Sequence, residues 1–368
     1  MAGASVAAHL AEFARVRLLE MEHQPGFHST GRSAALFSET YGNNAIRALT
    51  SASRRFFYAP PASFCSVPLV KPRSVLVAAR SGQRESLQAY FDSEQSGRLE
   101  WKSADEAIKL CPVLRRDGLI GAALDTHSAD IEVHELHQGY LRLLKSRGGM
   151  VSTDAQVTAL ERYDAGWEVT TSRQTWRAGV IVNAAGAWAG RIADMAGAQS
   201  VGLQPLRRTA CLLDAAPGSQ SDSWPMLLDV DERFYLKPDA GKLLLSPADE
   251  TPTEPGDAQP DEMDVAVAVD RLEQATTLIV TRVVRKWAGL RSFVADRTPV
   301  VGYDGLQTGF FWLAALGGYG IQTAPALSRL AAAQVMKRPI DEHLLSFGLD
   351  PMELSPDRLA SKASTTPS

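Results

Sequence analysis

Small apolar residues recur at helical spacing over residues 2–14, and a short apolar run at residues 16–20, VRLLE, follows and ends in a carboxylate. That order predicts a helix, a strand and then an acid. Residues 44–58 (NAIRALTSASRRFFY) carry an amphipathic helical pattern that the Pro60-Pro61 pair stops. Strands are expected at 67–70, 74–79 and 119–124, with helices at 85–95 and 104–110 between them. A helix at 134–144 leads to a strand at 156–160, a hairpin at 167–171 and a fully apolar strand at 178–182 that runs into Asn183-Ala184-Ala185-Gly186-Ala187-Trp188. Over residues 203–245 the period changes to two, with a turn at Asp239-Ala240-Gly241, which reads as antiparallel sheet with one face available to a pocket. Residues 249–262, rich in Pro, Asp and Glu, read as a loop, and 264–278 as a helix. The small residues of KWAGLRSF at 286–293 read as a turn before a strand at 299–302. A strand at 309–316 then meets the glycine run Gly317-Gly318-Tyr319-Gly320, which opens a helix to residue 335, and the chain turns polar after Met352.

A chain of 368 residues usually divides into two domains. With 45% hydrophobic residues, 22% charged residues and a net charge of −4, it is an ordinary globular composition and a poor match for a polyanion such as nucleic acid. No apolar run approaches the ~18 residues of a membrane span, and no basic segment followed by a long apolar core opens the chain, so the cytoplasm is the expected compartment. Cys65, Cys111 and Cys211 are too scattered for a disulfide framework and read as free thiols. His134 and His137 form an HxxH without a third ligand at metal spacing, so both are read as structural and no metal site is expected.

The opening helix, strand and acid are the second half of a dinucleotide-binding βαβ unit, in which glycines turn the chain tightly and the acid receives the ribose hydroxyls. Gly3 stands where the third glycine belongs and Glu20 where the acid belongs. The first strand and first two glycines would precede Met1, so Met1 is expected to be internal to a longer reading frame. Residues 28–35, HSTGRSAA, place hydroxyls, a glycine and an arginine at the apparent start of a helix, a setting suited to phosphate.

The segments STGRSAA, NAAGAW, FYLKPDAG, WAGLRSF and GGYGIQT together resemble the D-amino-acid oxidase family of FAD-dependent oxidoreductases. Within that family the chain is most similar to the bacterial D-arginine dehydrogenases, from Gly3 to about Pro356. The resemblance implies an α/β fold, α+β overall: an N-terminally truncated Rossmann-like FAD domain (1–60, 126–200, 285–355) interleaved with a substrate domain on a large antiparallel sheet (61–125, 201–284), then a polar tail (356–368). It implies non-covalent FAD held by Gly3, Ala4, Glu20, Ser29, Gly31, Arg32, Ser33, Ala34, Val157, Ala185, Gly186, Gly318, Tyr319, Gly320, Ile321 and Gln322. No cysteine follows Cys211 to form a C-terminal thioether to flavin.

The implied reaction is oxidation of the Cα–N bond of a D-amino acid to a 2-oxo acid and ammonia, with quinone, electron carrier or oxygen left open as acceptor. Arg291 and Arg208 would clamp the substrate carboxylate, Tyr235 would add a phenolic hydrogen bond and Tyr41 would be a lid, with Gly289 and Gln322 lining the pocket. Two positions depart from the D-arginine enzymes. Val75 stands where they carry a side-chain-binding carboxylate and Leu36 where they carry a histidine, so with Met226 and Leu228 the pocket is expected to be apolar. The alternatives are oxidation of glycine or an N-methyl amino acid on the same fold, or an inactive remnant unable to hold FAD.

Overall fold

The computed structural model describes residues 1–94, 97–215 and 220–360, so that Gln95, at the end of one expected helix, and residues 361–368 lie outside the described residues. The largest sheet runs in the order Thr251–Pro252, Gln204–Asp214, Lys242–Ser246, Tyr235–Asp239, Met226–Asp229, Val75–Arg80, Leu119–Asp125, Leu99–Lys102, and Val283–Phe293 pairs along the other edge of Gln204–Asp214. Its pairing is antiparallel except where Met226–Asp229 runs parallel to Val75–Arg80, which corrects the expectation of a purely antiparallel sheet.

Successive side chains on a strand face opposite ways, so the register assigns each residue to one face. One face carries Leu76, Leu124, Leu227, Leu236, Leu243, Leu245, Cys211 and Leu213, packed under the helices Ala104–Leu110 and Glu262–Ala275. The other carries Val75, Val77, Met226, Leu228, Tyr235, Arg208, Ala210, Gly289 and Arg291. Every sheet residue assigned above to substrate therefore shares the face turned away from that core.

The remaining strands form smaller sheets. Arg17–Leu19 pairs in parallel with Met150–Ser152, and Ile181–Asn183 pairs in parallel with Phe310–Ala314, which also takes Val300–Tyr303 antiparallel. The helices Ala2–Leu10, Val133–Ser146, Asn44–Tyr58 and Ala324–Val335 cover them. Helix Asn44–Tyr58 starts where Asn43 accepts the Ile46 amide hydrogen, and it buries Ile46, Leu49, Ala52 and Phe57 on one stripe.

Several local expectations change. Residues 28–35 form turns, not a helix: the Gly31 amide donates to the carbonyls of Gly26 and His28, and Ser33 Oγ accepts the Ala35 amide, which competes with helical bonding. The segment then enters the short strand Leu36–Phe37. Residues 286–293 are not a turn but the interior of Val283–Phe293, because the long partner Gln204–Asp214 satisfies their backbone. The apolar run 178–182 is split, Thr175–Ala178 closing the sheet of Val157–Tyr163 and Gly166–Thr171 while Ile181–Asn183 joins the parallel pair. Gly166–Thr171 is thus one strand and not a hairpin. The first helix stops at Leu10, the helix of residues 264–278 runs instead from Glu262 to Ala275, and the last long helix opens at Ala324, with Pro325 in its first turn, after the glycine run has formed turns. In the segment read as a polar tail, Leu359 is buried and Arg358 pairs with Asp296.

Candidate active site

A cavity of about 1340 Å³ opens at the carboxyl ends of the parallel strands and continues to the arginine-bearing face of the large sheet. Ligands of open α/β sheets bind at such strand ends. Drug-sized ligands occupy ~300–1,000 Å³, so this volume suits a dinucleotide with a small substrate. At one end lie Gly3, Ala4 and Glu20, the last just beyond Arg17–Leu19 with its carboxylate accepting the Glu22 amide hydrogen at 3.1 Å. Ala185 and Gly186 follow Ile181–Asn183, held by the Asn183 side chain, which donates to the Ala189 carbonyl at 2.8 Å. Gly317 has φ +51°, and a Cβ there would come within 2.2 Å of the Phe293 ring, so only glycine fits this turn.

At the other end stand Arg291 and Arg208. Arg208 opposes Gly289 across the strand pair and Leu206 opposes Arg291, so the two guanidinium-bearing residues are diagonal neighbours on one face. Their surroundings differ. Arg208 is buried, donating from Nε to the Asp249 carbonyl at 2.8 Å and from Nη2 to Glu250 at 3.1 Å. Arg291 has no hydrogen bond or ion pair among the described residues. Burial opposes its charge, but Tyr235, Tyr41, Tyr319 and the Glu232 carboxylate outweigh that and raise its pKa, so it is a cation. Burial and the like charge of Arg291 lower the pKa of Arg208. The Tyr41 and Tyr319 rings lie 5.1 Å apart beside Arg291, and burial holds both phenols above their ordinary range, so they are protonated donors. A half-buried cation with no hydrogen-bonded partner among the described residues, beside phenolic groups, is suited to receiving a carboxylate.

Of the residues anticipated for the cofactor, Gly3, Ala4, Glu20, Ser29, Arg32, Ser33, Ala34, Val157, Ala185, Gly186, Gly318, Gly320 and Ile321 line this cavity, whereas Gly31, Tyr319 and Gln322 do not. Arg32 spends its guanidinium on Asp257 and on the carbonyls of Ala258 and Ala288. Gln322 accepts the Ser38 amide hydrogen and so fixes the segment before Tyr41. Of the substrate residues, Arg208, Arg291, Tyr235 and Gly289 line the cavity, and Tyr41, expected as a lid, does not. Leu36, Val75, Met226 and Leu228 pack together beyond its wall. An acid at the strand end, a path of small residues and a cavity of this size fit FAD, whose ribose hydroxyls Glu20 would receive and whose ring system the segment at Gly318 would border.

Two further residues of the site escaped the sequence reading. Glu250 bridges Arg208 and Arg297, accepting from Arg297 at 2.6 and 3.0 Å, and Arg297 stacks 3.9 Å over Phe293. Glu250 lies in a Pro- and acid-rich segment whose sequence gives only a loop; its position opposite Arg208 comes from the short strand Thr251–Pro252 pairing with Leu206 and Arg207. A strand of two residues leaves no periodic signal.

The bovine FAD-dependent oxidoreductase domain-containing protein 1 is 28% identical over 192 residues, 48% of this chain and 38% of that protein. Mouse mitochondrial dimethylglycine dehydrogenase is 24% identical over 66% of this chain and 31% of its own length. Glycine oxidase of Geobacillus kaustophilus is 25% identical over 68% of the chain and 65% of its own length. The chain thus spans about a third of the first two relatives. The crystal structure of that glycine oxidase superposes with a TM-score of 0.81 at 19% identity, covering 96% of this chain and 95% of the other. That of L-proline dehydrogenase from P. horikoshii gives 0.82 at 18%, covering 98% and 96%. A particular closeness to D-arginine dehydrogenases is not among these likenesses. The family profile described as DAO, FAD dependent oxidoreductase, matches residues 1–334, and this chain, with FAD as its cofactor, belongs to that family.

Proposed function

We propose that the chain oxidises the Cα–N bond of a small amino acid whose carboxylate is held by Arg291. The observation that carries this reading is the half-buried Arg291 guanidinium, without a hydrogen bond or ion pair among the described residues and open to the cavity. FAD, when bound, accepts the hydride from Cα, and the resulting imino acid hydrolyses to a 2-oxo acid and ammonia. The chain's own task is orientation. A bidentate fork fixes the carboxylate and thereby the Cα–H direction, and the Tyr235 phenol, which lines the same cavity, adds a hydrogen bond. No acid–base side chain is needed if the amine binds neutral.

For side-chain preference we favour a D-amino acid with an apolar side chain. Leu36, Val75, Met226 and Leu228 do not themselves line the cavity but form one apolar cluster on the arginine-bearing side of the sheet, where Met226 and Leu228 back the cavity-lining Tyr235 and Ala210. Acids that could receive a cationic side chain already have partners: Glu39 pairs with Arg54 at 2.7 Å and Arg98 at 2.5 Å, and Asp229 accepts from Gln83 and from the amides of residues 231 and 233. The names of the relatives, glycine oxidase and dimethylglycine dehydrogenase, equally favour glycine or an N-methyl amino acid as substrate.

Steady-state kinetics of the FAD-loaded protein on a panel decides between them. D-Leu, D-Met and D-Phe should exceed D-Arg and D-Lys in kcat/KM by about tenfold or more, since leaving one buried charge unpaired costs more than ~1.4 kcal/mol. Arg291→Met should lose on the order of 100-fold in kcat/KM while keeping its flavin spectrum. Glycine or N-methylglycine as the best substrate would select the second reading, and an Arg291→Met enzyme equal to wild type would remove the carboxylate clamp.

A further inference from the structure

The large-sheet end of the cavity wall holds two guanidinium groups, those of Arg208 and Arg291, yet a simple amino acid offers one carboxylate. Arg291 has no hydrogen-bonded partner among the described residues, whereas Arg208 shares the Glu250 carboxylate with Arg297. Arg297 takes the shorter and bidentate contacts, at 2.6 and 3.0 Å, and Arg208 a single one at 3.1 Å. Three cations and one bridging anion lie in this cluster. Arg297 stands outside the cavity, stacked on Phe293, and its backbone has φ +58°, a conformation that few side chains adopt without support from their surroundings. The arrangement holds Glu250 at a fixed place, where it faces Arg208 from the side away from the cavity.

We propose that Glu250 is a specificity-determining residue: by engaging Arg208 it leaves Arg291 as the single free carboxylate receiver, so that the site selects monocarboxylic over dicarboxylic substrates. This rests on the reading of Arg291 as the carboxylate clamp. The physical reason is that a guanidinium already bonded to a carboxylate has its charge offset and part of its donor fork taken, so a second anion gains less from it than from Arg291. A substrate's extra carboxylate would then be buried opposite a neutralised arginine and would lose its water without gaining a full partner. A diagonal pair on one sheet face is close enough for both guanidinium groups to reach a small dianion if Arg208 were released.

The variants separate this charge effect from a merely structural role for Glu250, because the two members of the outer ion pair act in opposite directions. Glu250→Gln frees Arg208. Arg297→Met leaves Glu250 with Arg208 alone and neutralises that arginine more fully. A structural role would make both variants behave alike, since both break the same pair.

The test is calorimetric titration of the FAD-loaded protein with acetate and propionate against malonate and succinate, a measurement that needs no turnover. In wild type the dicarboxylates should bind no more than about twofold tighter than the monocarboxylates. In Glu250→Gln malonate or succinate should tighten by tenfold or more while acetate changes less than threefold, and the added Arg208→Met change should abolish the gain. In Arg297→Met dicarboxylate binding should weaken or stay as in wild type. Dicarboxylates binding tenfold tighter than monocarboxylates in wild type, or unchanged selectivity in Glu250→Gln, overturns the proposal while leaving the amino-acid reading in place. A wild-type protein that binds none of these anions removes the carboxylate site itself, and with it both readings.

Discussion

His9 lies on helix Ala2–Leu10 with its Nε2 buried and without a hydrogen-bond partner, and burial, followed by the charges of Arg147 and Arg329, pushes its pKa down to about 4 from 6.5. The unfolded chain therefore binds a proton at this residue between about pH 6.5 and 4 that the folded chain does not bind. Stability is fully present above pH 6.5 and falls as the pH drops through that window, by on the order of 3 kcal/mol for this residue at its lower end. Urea midpoints measured at pH 7.5 and pH 4.5 should differ less in His9→Leu than in wild type, and equal differences would show that His9 does not carry this dependence. The sequence marks His9 only as a polar position in an Ala-rich helix, because what shifts it, burial first and then the charges of Arg147 and Arg329, comes from parts far along the chain. The same limit applies to Arg208 and Arg291. Their residue type and motif pointed to a carboxylate, but which of the two is free depends on Glu250, some forty residues from either.

Elements whose signals are local were legible, and those fixed by distant partners were not. Helix Asn44–Tyr58 has its cap, stripe and Pro stop within one stretch, and the structure reproduces the expected bounds. Helix Ala104–Leu110 does the same through the Ser103–Glu106 capping box. By contrast, KWAGLRSF contains small residues that favour a turn in isolation, and only pairing with Gln204–Asp214, about eighty residues earlier, makes it strand. The cap at Asn43 offers a check on the first class. Its side chain accepts the Ile46 amide hydrogen and also donates to Thr298 at 2.9 Å, joining the helix start to the loop that carries Arg297. Asn43→Ala should lower stability by about 1–2 kcal/mol, above the usual cost of a lost surface cap because two contacts go together. Asn43→Asp keeps the cap acceptor and should recover about half of that loss. A denaturant midpoint for Asn43→Ala equal to wild type would show that neither contact matters to the fold.

At the scale of the molecule, the cavity draws its walls from segments spread through the chain, among them residues 1–4, 15–21, 182–188, 289–292, 313–318 and 320–321. Helix Ala2–Leu10, the parallel strand pairs of the two smaller sheets and the edge of the large sheet thus meet at one cavity. A ligand that binds only where these parts are assembled stabilises the assembled state by mass action, by about 2.7 kcal/mol when present at 100 times its dissociation constant. Added FAD should therefore raise the thermal midpoint of flavin-free protein by several degrees, and the rise should continue with the logarithm of FAD concentration. ADP offers a graded comparison. It can occupy the end marked by Gly3 and Glu20 but cannot extend to Gly318 and Arg291, so it should raise the midpoint by less than FAD at equal multiples of saturation. Because ADP leaves the arginine end untouched, acetate added with ADP should give the same further increment as acetate alone, whereas with FAD bound the acetate increment should change. Scanning calorimetry across these combinations reads all of these effects in one observable, and a midpoint indifferent to saturating FAD would show that the cavity does not bind the cofactor as assigned here.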